Sequence, residues 1–94
     1  MGRALAAAIG IVSIAAVASA EPPAGAVSCS GCHPASLRVT SPVPRLAGVD
    51  RAAIVRAMQE FRSGQRPATV MDRIAKGFTD DEIQALAAWF ATQK

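Results

Sequence analysis

From residue 51 to residue 92 the apolar positions fall twice into a helical rhythm. Ile54, Ala57, Met58 and Phe61 are spaced i, i+3, i+4, i+7, which puts them on one face of a helix from Arg51 to about Ser63. Arg51, Arg56, Glu60 and Arg62 take the solvated side. Asp50 is the expected N-cap and Gly64 the expected stop. The second rhythm, Ile83, Leu86, Ala87 and Phe90, marks a helix that runs to about Thr92. Its opening, Thr79-Asp80-Asp81-Glu82, is a capping box in which the Thr79 hydroxyl accepts from the Glu82 amide and Glu82 reaches back. The acids of this first turn complement the helix dipole. Phe78 before the cap and Ile83 after it suit a hydrophobic staple.

Before residue 50 the rhythm is weaker. Ala24 to His33 reads as a short first helix, opened by Pro22-Pro23. It ends where Pro34 disfavours helical backbone at His33. Residues 35–47 form a loop, with Thr40-Ser41-Pro42-Val43-Pro44 extended. Gln65 to Val70 is a polar loop leading to Met71, and Asp72 to Lys76 makes one or two helical turns before Gly77. No strand-like alternation and no internal repeat is present. The expectation is an all-α domain of three main helices and loops.

The first twenty residues follow a different logic. Behind Met1-Gly2-Arg3, Ala4 to Ala18 is a small, apolar, uncharged run, and Ala18-Ser19-Ala20 is an A-x-A cleavage site. The run is shorter than the roughly 20 residues a membrane span needs. Residues 1–20 therefore read as a cleaved secretory signal peptide, and residues 21–94 as the working domain, located in the periplasm with no membrane span. Removing 20 of 94 residues leaves 74, one small domain of the kind that often needs a staple. Part of the 51% hydrophobic content leaves with the leader. Phe61, Phe78, Trp89 and Phe90 are the aromatic residues that remain. Arg3 leaves too, so nine cations face seven acids, a net charge of +2. No arginine-lysine run with interleaved aromatics is present, which argues against nucleic-acid binding.

The chemistry is concentrated in Cys29-Ser30-Gly31-Cys32-His33, which holds both cysteines and the single histidine. C-x-x-C-H is the pattern of covalent c-type haem attachment. The two thiols add across the porphyrin vinyl groups, and two intervening residues bring both sulfurs to one side of a helical turn. The adjacent imidazole then meets the iron from the proximal face. Covalent attachment in bacteria happens outside the cytoplasm, so leader and motif support each other. A thiol–disulfide role lacks the βαβ pattern and leaves His33 without a part. Zinc would find three N/S ligands within five residues.

A haem iron held by one histidine has a second axial position. A neutral, soft thioether there stabilises ferrous iron. With Met1 in the leader, Met58 and Met71 are the candidates. Met58 lies within the apolar periodicity of its helix and reads as core. Met71 follows a loop containing Gly64 and Pro67 and reads as the distal ligand.

Further motifs extend the pattern. Pro44-Arg45-Leu46-Ala47-Gly48, Phe61-Arg62-Ser63-Gly64-Gln65-Arg66, Met71, Thr79-Asp80-Asp81-Glu82-Ile83 and Leu86-Ala87-Ala88-Trp89-Phe90 follow the haem motif in order. Together they resemble class I cytochrome c, in its small bacterial monohaem form, over nearly the whole of residues 21–94. The resemblance implies the class I cytochrome c fold wrapped around one covalent haem c. It implies thioethers at Cys29 and Cys32, and His33 and Met71 as axial ligands. It makes Pro44 the residue whose carbonyl accepts from the proximal histidine, and Leu46 the apolar residue packed on the proximal haem face. Arg66 resembles a basic residue near the propionates, against the alternative of a solvated surface arginine. Trp89 or Phe90 would pack on the first helix where the terminal helices cross, with Gly25 or Ala26 at the crossing point. Pro34 stands where the family often has glycine, and the lead from Glu21 to Ser28 is short.

The resulting expectation is an electron carrier with no catalytic acid or base. Its motifs also resemble the cytochrome subunits of flavocytochrome c sulfide dehydrogenases, which implies a flavoprotein sulfide dehydrogenase subunit as partner. A free carrier serving other redox proteins has nearly the same requirements. An open-site haem enzyme or gas sensor is the alternative of another class.

Overall fold

The computed structural model describes residues 2–13 and 21–94. Residues 2–13 carry no helix and leave Leu5, Ile9, Ile11 and Val12 exposed. The expected cleavage site at Ala18-Ser19-Ala20 lies outside the described residues. Four helices follow: α1 (Ala26–Ser30), α2 (Arg51–Ser63), α3 (Met71–Ala75) and α4 (Asp80–Thr92). Among the described residues there is no strand, and no helix is long and apolar enough to cross a membrane.

The two long helices form where their end signals stand. The Asp50 carboxylate accepts from the Ala53 amide at 3.3 Å and starts α2. Gly64, at φ 79°, stops it. The Gln65 amide donates to the Glu60 carbonyl (2.9 Å) and the Gly64 amide to that of Phe61 (3.3 Å), the paired bonds of a Schellman motif. At α4 both halves of the capping box form. The Glu82 amide donates to Thr79 Oγ1 (3.2 Å), and the Thr79 amide donates to Glu82 Oε1 (3.0 Å). These bonds hold the Glu82 carboxyl below its ordinary pKa.

The core joins Ala26, Ile54, Val55, Ile83, Leu86, Ala87 and Phe90, with Met58, Phe78 and Trp89 packed against it. The α4 stripe is buried as its periodicity predicts. On α2 the buried residues are Ile54 and Val55, while Ala57, Met58 and Phe61 are half-buried. The helix packs against both α3 and α4, so its covered band is wider than one stripe and includes Val55.

The first helix is shorter than its sequence suggests, five residues in place of Ala24 to His33. Gly25 adopts φ 91°, a left-handed conformation that cannot extend the helix backward. It also lies tightly against Phe78 and near Leu86 of α4. Ala26 beside it is 1% exposed. The two neighbours thus mark where the terminal helices meet. Helix α3 starts at Met71, one residue earlier than expected, and its last turn closes with the Gly77 amide donating to the Ile74 carbonyl at 3.0 Å.

Candidate haem-binding site

Beyond Ser30 the chain keeps turning. The amides of Cys32 (3.2 Å) and His33 (2.9 Å) both donate to the Cys29 carbonyl, which holds the two thiols and the imidazole on one tight coil. Both cysteines are free. Cys29 is half-buried against the core, and this burial pushes its thiol pKa up, while Cys32 is exposed.

His33 Nδ1 lies 2.6 Å from the Pro44 carbonyl oxygen. A carbonyl can only accept, so Nδ1 carries the proton, and in the neutral ring Nε2 keeps the free lone pair. The Pro44 segment is itself held. The Gly48 amide donates to the Phe90 carbonyl of α4 (2.9 Å), and the Val49 amide donates to that of Leu46 (3.1 Å). Arg45 Nε donates to the Ala35 carbonyl at 2.7 Å. Leu46 is half-buried on the core. A cavity of about 120 Å³ lies behind the histidine, lined by His33, Pro34, Leu46, Trp89 and Phe90 among others. Ser30, at the end of α1, shares that lining with Trp89 and Phe90. A larger groove of about 550 Å³, lined by Arg51, Val55, Arg56, Gln59 and Gln84 among others, contains none of these residues.

Met71 is half-buried at the first position of α3 and is absent from the residues packed on the core, whereas Met58 is one of them. Arg66 is engaged locally. Its guanidinium bonds the Glu60 carboxylate (2.8 and 2.9 Å) and lies over the Phe61 ring, 5.5 Å from its centroid. The structure thus joins His33 directly to Pro44 and seats Arg66 on α2. Arg45 carried no signal of its own in the sequence, because a bond from a side chain to a carbonyl ten residues away leaves no periodicity.

No family model matches the chain. Individual relatives do. Over 64 residues it is 39% identical to the cytochrome subunit of sulfide dehydrogenase from Chlorobaculum tepidum, a match covering 68% of this chain and 58% of that protein. It is 37% identical over 65 residues to the thiosulfate dehydrogenase electron acceptor of Stutzerimonas stutzeri (67% and 30%). It is 31% identical over 72 residues to cytochrome c4 of Pseudomonas aeruginosa (76% and 36%).

The chain belongs to the class I cytochromes c. It spans less than two thirds of the length of these three relatives. The all-α architecture with no strand among the described residues is the fold of that family. Its cofactor is one covalently bound haem c. The residues present fit that group. Two free thiols and an imidazole with an open Nε2 share one coil. Leu37 and Val39 in the loop after His33, Val70 before Met71 and Ile74 on α3 are exposed apolar surface. A large apolar body seated here would cover surface that this lean core cannot cover alone.

Proposed function

We propose that this cytochrome c is an exported one-electron carrier, in which Cys29 and Cys32 would hold the haem through thioethers, and His33 and Met71 would ligate its iron. The bound haem supplies the Fe(III)/Fe(II) couple. The protein supplies position and exclusion of water. Pro44 fixes the imidazole and raises its basicity through the Nδ1–H bond. Leu46 covers the proximal side. Met71 supplies a neutral thioether, which favours the ferrous state. Arg66, seated on Glu60 and Phe61, steadies the loop leading to Met71. Residues 1–20 are the export leader that brings the thiols to the compartment of haem attachment.

The observation that carries this reading is the 2.6 Å contact between His33 Nδ1 and the Pro44 carbonyl, which leaves Nε2 with a free lone pair on the same coil as two free thiols. We further propose that the physiological complex is a flavocytochrome c sulfide dehydrogenase, with a flavoprotein passing sulfide electrons to this chain. The likeness to the cytochrome subunit of sulfide dehydrogenase from Chlorobaculum tepidum supports that assignment.

The test is spectroscopic. Denatured protein keeps its haem on a peroxidase-stained gel. Met71→Ala loses the sulfur-to-iron charge-transfer band and binds carbon monoxide when ferrous, whereas Met58→Ala keeps the band. Loss of the band in the Met58 variant instead would overturn the ligand assignment. Mass spectrometry should find Glu21 at the N-terminus. Isolation from the native host should yield a stoichiometric flavoprotein; a lone monomer supports a free carrier.

A further inference from the structure

The loop from Pro34 to Arg45 leaves the haem motif and returns to it. No backbone–backbone hydrogen bond crosses its neck among the described residues. Pro34 and Pro44 have no N–H, so two flanking donors are missing. Inside the loop the bonds are local: the Val39 amide donates to the Ser36 carbonyl (3.4 Å), the Arg38 amide to Ser36 Oγ (3.1 Å) and the Val43 amide to Ser41 Oγ (3.1 Å). Two side chains lace the neck instead. His33 Nδ1–H donates across it to Pro44, and Arg45 Nε–H donates back to Ala35 at 2.7 Å. One arm continues from the coil of α1. The other is moored on α4 through the Gly48 amide and the Phe90 carbonyl. Arg45 is half-buried and forms no ion pair among the described residues, so its cation is spent on this carbonyl.

We propose that Arg45 is a positioning residue for the proximal histidine. Its guanidinium ties residue 35 to residue 45 and so holds the Pro44 carbonyl at His33 Nδ1. The inference rests on His33 being an iron ligand. Charge-assisted bonds are stronger than neutral ones, so Arg45 is the stiffer of the two laces. Without it the neck opens more often, and the ring loses the acceptor that sets its orientation and basicity.

The test uses ferrous holoprotein and the exchange rate of the His33 Nδ1 proton by NMR. Arg45→Met, which keeps an apolar stem, should accelerate exchange about tenfold, the change expected for losing one charge-assisted bond. Arg45→Lys keeps a donor and the charge, and should recover most of the protection. Arg38→Met removes an equal charge from the same loop and should leave exchange at the wild-type rate. The reduction potential of Arg45→Met should lie above that of Arg38→Met, because a less basic ring favours ferric iron less. Equal acceleration in the Arg45→Met and Arg38→Met variants, or a rate within twofold of wild type in Arg45→Met, overturns the proposal. If Arg45→Met fails to hold haem, Arg45→Lys decides, with exchange two- to threefold faster than wild type expected and an unchanged rate against it. Absence of a stained haem in wild-type protein would instead overturn the reading of His33 as ligand, and the two failures stay separate.

Discussion

Gly25 joins a backbone constraint to a packing constraint, and the two can be measured apart. At φ 91° an L side chain is strained by roughly 1–2 kcal/mol. A Cβ placed there would lie 2.6 Å from Phe78 Cε1 and 3.0 Å from Cζ, closer than atoms pack. Phe78 is itself packed on the core, so the ring must displace its neighbours, at an overpacking cost of roughly 1–3 kcal/mol. Gly25→Ala should therefore destabilise the holoprotein by about 3 kcal/mol, read from guanidinium unfolding followed by far-UV circular dichroism at 25 °C. Phe78→Leu shortens the obstructing group. In that background Gly25→Ala should cost only the backbone part, about 1–2 kcal/mol, and the difference is the coupling. A cost below about 0.5 kcal/mol, or the same cost in both backgrounds, refutes the geometry. Because Gly25 starts the short helix that holds Cys29, the same substitution should also lower the yield of haem-stained protein.

Thr79→Ala removes one half of the α4 capping box and should cost about 1 kcal/mol in the same unfolding assay, with Thr79→Ser near neutral. Glu82 has a folded pKa below its ordinary 4.5, so its contribution is full above that value and is lost as pH falls through the lowered one. Glu82→Gln should accordingly lose less stability than wild type between about pH 5 and pH 3, measured as urea midpoints. Ile83, 1% exposed, is the largest fully buried side chain among the described residues, and Ile83→Ala should cost about 3 kcal/mol by the same measure.

Most of α2 and α4 was legible because their signals are local. A cap, a glycine stop and a 3.6-residue period act within one turn of the residues that carry them. What escaped depends on contacts between distant segments. Val55 is buried because a second helix covers α2, and α1 is short because Gly25 is pressed against Phe78, fifty-three positions away. The haem motif announced its chemistry, and the resemblance named Pro44 as its support, but the neck that delivers Pro44 was hidden. That Pro34 and Pro44 face each other across a neck emerges only when the returning arm is seen beside the departing one. With the Pro34 and Pro44 amides missing and no backbone hydrogen bond across the neck, closure falls to side chains, and Arg45 supplies one of the two. The departure from family pattern at Pro34 and the arginine after Pro44 thus belong to one device, in which rigid arms are joined by two side-chain bonds, His33 to Pro44 and Arg45 to Ala35.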